Sequence, residues 1–203
     1  MKKVIIENKE MIPSKIVCVG RNYVEHILEL DNDMPDEMVV FLKPNSSITD
    51  VLQSTHFVPL HYEGELCFLY ENGKFSAIGF GLDLTKRDLQ SKLKRNGLPW
   101  ERAKAFNGSA VFSHFVGIPD SIQDITFQLD INGKTIQYGN IDLMIHKPVD
   151  ILNEVMSFID LCDGDIIMTG TPKGVGPVRS GDLFQAKIKK TDNVIVNAEW
   201  IAK

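Results

Sequence analysis

The sequence lacks the features that mark membrane, secreted and nucleic-acid-binding proteins. No stretch approaches the roughly 18 consecutive apolar residues that a membrane span needs, and residues 1–10 carry charges instead of an apolar signal core. The net charge is −5, and no block of clustered Lys and Arg offers a surface for phosphate groups. We therefore expect neither a membrane nor a nucleic acid as a partner.

Cysteine is also scarce. The three cysteines (Cys18, Cys67 and Cys162) are scattered along the chain in apolar surroundings, and no Cys/His cluster has zinc spacing. This usage is typical of buried thiols in a reducing compartment. We therefore predict a cytoplasmic protein without disulfides.

Short strand-like runs dominate what is present. The chain has 203 residues, which fits a single catalytic domain spanning residues 1–203. Turn signals such as Asn72-Gly73 and Asn132-Gly133 separate the runs. The pattern predicts an α+β fold with more strand than helix. Strands are predicted at 15–19, 39–42, 66–70, 125–131, 165–169, 183–188 and 194–201, and helices at 22–30, 85–96 (capped by Thr85) and 148–161.

Glu63 and Glu65 are the most informative pair. They lie two apart at the start of an apolar run, and side chains two apart in a strand share a face. Carboxylates that close repel unless a proton, a lysine or a cation neutralises them. Magnesium, manganese and calcium all prefer oxygen ligands. On its own, the pair is more typical of two exposed glutamates on the solvent face of an edge strand.

Asp83 adds a third carboxylate. It follows a glycine-rich, strand-like segment and precedes the predicted helix, whose cap we assign to Thr85. Asp83 is then free to join Glu63 and Glu65 as an oxygen ligand. Such a set leaves coordination positions for water and substrate.

Two further segments carry chemistry. The loop 169–177 is rich in Gly and Pro, and its backbone N–H groups are suited to binding an anion, although a plain turn fits as well. His26 and Glu29 are three apart on a predicted helix, which is typical of a general-base pair and also of a surface ion pair.

Lys104 lies between apolar residues and is either a buried functional lysine or one whose amino group reaches solvent.

Taken together, these segments resemble the fumarylacetoacetate hydrolase family, in particular its short, single-domain acylpyruvase branch. The resemblance spans almost the whole chain, in the family's order. The matching segments are IVCVGRNY (16–23), FLKP (41–44), YEGEL (62–66), LDLTKRDLQ (82–90), GLPW through Lys104 (97–104) and GDIIMTGTPKGVGP (164–177).

The resemblance implies a compact, mixed β-roll with few short helices, paired as a homodimer. It implies Mg²⁺ or Mn²⁺, with Ca²⁺ as a further option, at the positions of Glu63, Glu65 and Asp83. It also implies a mobile lid that carries His26 and Glu29. The residues that it places around the substrate are Arg87, Gln90, Lys104 and Thr171.

Two departures from the family pattern stand out. The segment 66–82 is shorter than the family usually shows, as if a surface helix were missing. The segment 139–145 has an isoleucine where the family usually has a hydroxyl residue. The first departure bears on the shape of the cleft and the second on substrate contacts.

The function that this reading favours is metal-dependent C–C hydrolysis of a small 2-oxo acid, an acylpyruvate such as fumarylpyruvate or acetylpyruvate. His26 with Glu29 would activate water, while Lys104 would stabilise the developing charge or deliver a proton. Oxaloacetate decarboxylation, and isomerisation or tautomerisation of 2-hydroxyhepta-2,4-diene-1,7-dioate-type substrates, use the same residues and stay open. So do a non-catalytic metal- or carboxylate-binding protein and a metal-free ion-pair network.

Overall fold

A large mixed sheet forms the centre of the structure, a computed structural model that describes residues 1–31 and 33–203. Its strand order is β4-β3-β13-β7-β8-β9-β5, with β10 paired to β8. Strands β3 and β13 are parallel, as are β5 and β9, and the other pairs are antiparallel. The strands are β3 (Lys15–Gly20), β4 (Val39–Pro44), β5 (Ile48–Thr49), β7 (Gly64–Glu71), β8 (Lys74–Asp83), β9 (Ala110–Phe112), β10 (Val116–Gly117) and β13 (Ile166–Met168).

A second, antiparallel sheet packs against the first. Its order is β12-β11-β15-β16, with β11 (Ile125–Ile131), β12 (Lys134–Asn140), β15 (Leu183–Lys190) and β16 (Asn193–Ile201). Two small ribbons pair β1 (Val4–Ile6) with β2 (Lys9–Met11) and β6 (His61–Tyr62) with β14 (Gly176–Pro177). The helices are short: α1 (Val24–Glu29), α2 (Arg87–Arg95), α3 (Glu101–Lys104) and α4 (Pro148–Phe158).

The main core lies between the two sheets. Phe80 of β8 reaches across to Phe127 of β11 and Trp200 of β16, with ring centroids 5.8 Å and 6.3 Å away. A smaller apolar cluster covers the other face of the large sheet, where Cys18, Cys67 and Met168 meet. Burial on both faces fixes β7 and β8 rigidly, and the site lies at their ends.

The predicted fold class is confirmed, since the molecule is strand-rich, mixed in strand direction and poor in helix. The seven predicted strands all form, with ends that differ by up to two residues. The ten-residue strand β8 was recognised only as a strand-like segment before Asp83, without its bounds, because its interior glycines obscure the pattern. A Cβ at Gly79 or Gly81 would lie 2.8 Å from Phe115 or 2.7 Å from the Cys67 sulfur, so close packing requires glycine there.

Two local predictions were wrong, and one helix was missed. Thr85 does not cap α2, which begins after Lys86 without a side-chain cap, because the Thr85 hydroxyl is bonded elsewhere in the site. The four-residue helix α3 was not predicted. Cys162 is exposed, whereas Cys18 and Cys67 are buried as expected. None of the helices in residues 1–31 and 33–203 has the length and apolar character to cross a membrane.

The short segment between β7 and β8 is a tight hairpin. The two strands pair from Gly64 opposite Leu82 to Glu71 opposite Lys74, and the turn between them uses Asn72 and Gly73, both with positive φ. No surface helix interrupts this hairpin. The shortened segment noted in the sequence therefore leaves β7 and β8 directly paired down to the site.

Asp165 ties the start of β3 to the segment before β13. One carboxylate oxygen accepts hydrogen bonds from the Ser14 N–H (2.9 Å) and hydroxyl (2.7 Å), and the other contacts the Lys15 amino group (2.5 Å) and the Cys162 N–H (2.9 Å). Burial opposes ionisation, but Lys15 and the other donors outweigh it, so the pKa of Asp165 is lowered. The ionised side chain thus stabilises the folded state.

We expect Asp165→Asn to lower the free energy of unfolding by about 3 kcal/mol, because the amide NH₂ would face donors. The deficit should be full above about pH 4, the ordinary pKa of Asp. It should shrink as the pH falls through the lowered pKa of Asp165. Denaturant unfolding at pH 7 and at pH 3 measures both effects. Asp163→Asn, at an exposed position, is the control; equal losses in the two variants would contradict this role.

Candidate metal and substrate site

Three carboxylates meet at the end of the β7–β8 hairpin. Glu65 is on β7, Asp83 ends β8, and Glu63 directly precedes β7. The Asp83 N–H donates to the Glu63 carbonyl oxygen (2.9 Å), which holds the two chain segments together. Ligand oxygens from all three buried side chains lie within 4.8 Å of one another. The spacing that predicted a shared carboxylate site from the sequence is therefore realised in the fold.

Lys104 lies among these carboxylates. Its amino group donates to Glu63 Oε2 (2.8 Å), Asp83 Oδ2 (2.7 Å) and the Thr85 hydroxyl (2.6 Å). Burial lowers the pKa of Lys104, but Asp83 and Glu63 outweigh burial and raise it above its ordinary value. Of the two readings of Lys104 from the sequence, the buried one holds, and its amino group is a fixed positive charge.

Lys43, on β4, is a further buried lysine that the sequence reading did not single out. Its amino group donates to the Ser109 carbonyl (3.0 Å) and hydroxyl (3.1 Å) and to the Lys104 carbonyl oxygen. It also lies 2.7 Å from Asp83 Oδ1, an ion-pair contact outside hydrogen-bond geometry. Lys43 therefore neutralises Asp83 and fixes the backbone that carries Lys104. Its only sequence signal is a lysine inside the apolar strand FLKP.

Glu65 differs from its neighbours in having no cation. Among residues 1–31 and 33–203, no basic side chain forms an ion pair with it. Its Oε2 accepts a hydrogen bond from the Gly170 N–H (2.7 Å). Burial, followed by repulsion from Asp83 and Glu63, raises the pKa of Glu65 well above its ordinary value. Asp83 Oδ1 is buried and accepts no hydrogen bond, although the Lys43 amino group lies beside it. A set of three buried carboxylates, of which Glu65 has no basic partner, fits a divalent cation.

The loop 169–177 supports the site with its backbone, as the sequence indicated. The Gly170 N–H binds Glu65, and the Gly174 N–H donates to Glu29 Oε1 (2.8 Å). The Thr171 hydroxyl donates to the Gly64 carbonyl (2.9 Å) and accepts from Gln137 (2.8 Å). Gln137, another buried residue missed from the sequence, also accepts from the Gly64 N–H (2.9 Å) and so joins β12 to β7. The anions that this loop binds are thus carboxylates of the protein itself.

Arg87 and Gln90 lie on the first turn of α2, beside the carboxylates. The Arg87 guanidinium pairs with Glu63 and donates to Gln90 Oε1 (2.8 Å). Lys104 and Arg87 outweigh burial and keep the pKa of Glu63 low. Arg87 Nε is buried without a hydrogen-bond partner. A ligand oxygen would satisfy that donor.

His26 and Glu29 close the site from α1. His26 Nδ1 is 3.1 Å from Glu29 Oε2, which leaves Nε2 for another partner. Burial is the main effect on His26 and lowers its pKa, although Glu63 and Glu29 act in the opposite direction. Helix α1 is also tied to the loop 169–177 by the Glu29–Gly174 bond and by an exposed Lys173–Glu25 pair (3.2 Å). His26 is thus buried against the cavity, while Glu29 contacts it from an exposed position.

One cavity of about 100 Å³ unites the residues predicted from the sequence. Asp83 and Glu29 do not line this cavity; Asp83 is bonded to Lys104, and Glu29 contacts His26. The predicted residues that line the cavity directly are His26, Glu63, Glu65, Arg87, Gln90, Lys104 and Thr171.

We expect Glu65→Gln to separate metal binding from folding. Without metal, the variant should be at least as stable as the wild type, because it removes a buried carboxylate that lacks a cation. In MnCl₂ at about 100 times the dissociation constant, the wild type should gain about 2.7 kcal/mol, and Glu65→Gln should gain almost nothing. Thermal unfolding and metal analysis provide the measurements.

Glu71→Gln, at the far end of the same strand, is the matched control and should respond to Mn²⁺ like the wild type. If Glu65→Gln kept the Mn²⁺-dependent gain in stability, Glu65 would not be a ligand.

Comparison with known proteins identifies the family to which the chain is similar. The family model "Fumarylacetoacetate (FAA) hydrolase C-terminal" matches residues 15–73 and 76–199. The oxaloacetate tautomerase YcgM of Escherichia coli K12 is 40% identical over 187 residues, covering 83% of this chain and 85% of YcgM.

Solved structures share the fold of this chain. A protein from Oleispira antarctica superposes with a TM-score of 0.91 at 35% identity, over 100% of both chains. Fumarylpyruvate hydrolase from Pseudomonas aeruginosa, in complex with Mn²⁺ and pyruvate, superposes with a TM-score of 0.86 at 25% identity, over 99% of this chain and 95% of the hydrolase. The chain therefore belongs to the fumarylacetoacetate hydrolase family.

Proposed function

We propose that the protein is a divalent-metal-dependent tautomerase of a small 2-oxo diacid, oxaloacetate, which it converts between its keto and enol forms. The observation that carries the proposal is that His26, backed by Glu29, lines the same small cavity as Glu63 and Glu65. Interconversion of the two forms needs only a proton transfer next to a polarised carbonyl. The name and 40% identity of the Escherichia coli relative support this choice of substrate.

The metal would be held by Glu63, Glu65 and Asp83, with Mg²⁺ or Mn²⁺ as the ion. When bound, it would supply a positive charge that polarises the 2-oxo group. The Mn²⁺ and pyruvate in the structurally similar fumarylpyruvate hydrolase are in accord with such an ion and ligand. Lys43 and Lys104 would keep Asp83 and Glu63 ionised and in place.

His26 would act as the general base. Its lowered pKa keeps the imidazole neutral near pH 7, and the hydrogen bond to Glu29 fixes which ring nitrogen is free. Nε2 would accept the proton from the carbon next to the 2-oxo group and then donate it to the enolate oxygen, which gives the enol, and the reverse direction would retrace these two transfers. Closure of α1 over the cavity would exclude bulk water during this exchange.

Lys104 fits charge stabilisation better than proton delivery. Its pKa is raised, and all three donor positions of the ammonium are engaged by Glu63, Asp83 and Thr85. It would lower the energy of negative charge on the 2-oxo oxygen without giving up a proton. Arg87, Gln90 and Thr171 would bind and orient the ligand oxygens.

Acylpyruvate hydrolysis, the function favoured from the sequence alone, is the second candidate. The observation in its favour is the structural similarity to fumarylpyruvate hydrolase over 99% of the chain. Hydrolysis requires an attacking water in addition to the bound acid, whereas the cavity measures only about 100 Å³. Decarboxylation of oxaloacetate is an alternative outcome of the same assays. The homodimer and the cytoplasmic location stay predictions.

We expect His26→Ala to lower kcat for tautomerisation of enol-oxaloacetate by about 10²-fold or more, the range for a lost general base. Metal content should not change, because His26 is not among the carboxylates. His114→Ala, at an exposed position, is the control. Loss of enol absorbance measures the reaction.

Parallel assays of pyruvate release separate the candidates. Acetylpyruvate cleavage at a rate similar to or above tautomerisation would favour the hydrolase, and pyruvate formed from oxaloacetate would favour the decarboxylase. Unchanged kcat in His26→Ala would remove His26 from the mechanism.

The pH profile tests the protonation state of the base. Because neutral imidazole is the active form and its pKa lies below the ordinary 6.5, kcat should be level at pH 7 and fall only below about pH 6.5. Measurement of kcat between pH 5 and pH 8 at saturating substrate and metal gives this limb. An acid limb centred above pH 7 would contradict the assignment.

A further inference from the structure

Arg21 stands at the junction of two cavities. The inner cavity of about 100 Å³ opens towards a wider groove of about 630 Å³, and Arg21, Phe41, Lys94 and Trp100 line both. Glu63 and Glu65 line the inner cavity but not the groove. A ligand that extended from the carboxylates towards the groove would therefore pass Arg21.

The backbone holds Arg21 in place under strain. Arg21 directly follows β3 and has a φ of 55°, a left-handed conformation that a long side chain seldom adopts. Its neighbour Asn22 is fully buried and clamped: Nδ2 donates to the carbonyls of Thr169 (2.8 Å) and His146 (3.0 Å), and Oδ1 accepts from the His146 N–H (2.7 Å). Such strain persists where the surroundings fix it, and it clusters at ligand sites.

The hydrogen bonding of Arg21 is incomplete. One terminal nitrogen donates to the Asp33 carbonyl oxygen (3.3 Å), while Nε is buried without a partner. Within residues 1–31 and 33–203, no carboxylate forms an ion pair with this guanidinium. Arg87, by contrast, is already paired with Glu63 and Gln90. A planar guanidinium with free donors matches a carboxylate.

The cations near the groove reinforce this polarity. Burial is the main effect that lowers the pKa of Lys94, and repulsion from Arg21 and Arg87 adds to it, so these positive charges lie close together. The inner cavity thus has carboxylates on one side and a group of cations on the side that opens to the groove. An acid with a metal-binding head and an anionic tail is complementary to both sides.

We propose that Arg21 binds the second carboxylate of a four-carbon 2-oxo diacid whose 2-oxo end lies against Glu63, Glu65 and Asp83. This inference rests on the proposed function and names Arg21 as the residue that selects dianionic over monoanionic 2-oxo acids. The size of the inner cavity restricts the head to a small acid and places the tail carboxylate at its mouth.

Two ligands that differ only in the tail test the proposal. Oxaloacetate has a carboxylate where 2-oxobutanoate has a methyl group. We expect Arg21→Gln to raise KM for enol-oxaloacetate about 10- to 100-fold, the loss of a charge-assisted hydrogen bond. The inhibition constant of 2-oxobutanoate should change less than about twofold. Lys134→Gln removes one positive charge at the exposed start of β12, outside both cavities, and it should leave both constants unchanged.

Further arms keep the outcome decisive. Arg21→Lys keeps the positive charge but lacks the paired N–H donors of the guanidinium, so its KM for oxaloacetate should lie between those of the wild type and Arg21→Gln. If Arg21→Gln does not fold, Arg21→Lys takes its place in the comparison. Equal losses for both ligands, or none for oxaloacetate, would overturn the role of Arg21. If the wild type does not convert the enol at all, the proposed function fails. Calorimetric affinities of the two acids for the wild type and the variant then still decide whether Arg21 binds the second carboxylate.

Discussion

The structure depends on how three buried carboxylates are neutralised. Glu63 forms ion pairs with Lys104 and Arg87. Asp83 forms ion pairs with Lys43 and Lys104. Glu65 has no basic partner in the part of the chain that the structure describes. Removing a charge from water costs several kcal/mol unless partners compensate. Three basic side chains therefore face three carboxylates, but their contacts are all with Glu63 and Asp83, which leaves Glu65 as the carboxylate without a direct positive partner.

Every element around the site serves this arrangement. The β7–β8 hairpin is buried on both faces and fixes the carboxylates. Its residues Gly79 and Gly81 lack a Cβ and so allow neighbouring side chains to pack closely against the strand. Strand β4 carries Lys43, and the short helix α3 ends at Lys104. The loop 169–177 then links Glu65 to Glu29 through the backbone N–H groups of Gly170 and Gly174. The carboxylates and helix α1 are thereby connected through one loop.

Much of the site could be predicted because it depends on local spacing. The separation of Glu63 and Glu65 and the position of Asp83 after a strand were readable from the chain. The predicted lid pair, His26 and Glu29, lies together as expected. Lys43 and Gln137 were missed because their roles arise from partners 34 or more positions away. Thr85 was misread as a helix cap, since only the folded chain shows that Lys104 claims its hydroxyl. The choice between hydrolysis and tautomerisation was not readable, because both reactions use the same residues.

Anomalous diffraction at the manganese absorption edge tests the central claim most directly. Crystals grown with MnCl₂ should show one strong peak bounded by oxygens of Glu63, Glu65 and Asp83, at distances of about 2.0–2.3 Å. Lys104 should remain bonded to Glu63 or Asp83 beside the ion. A protein that binds Mn²⁺ elsewhere, or that shows no peak among these carboxylates at saturating Mn²⁺, would contradict the account.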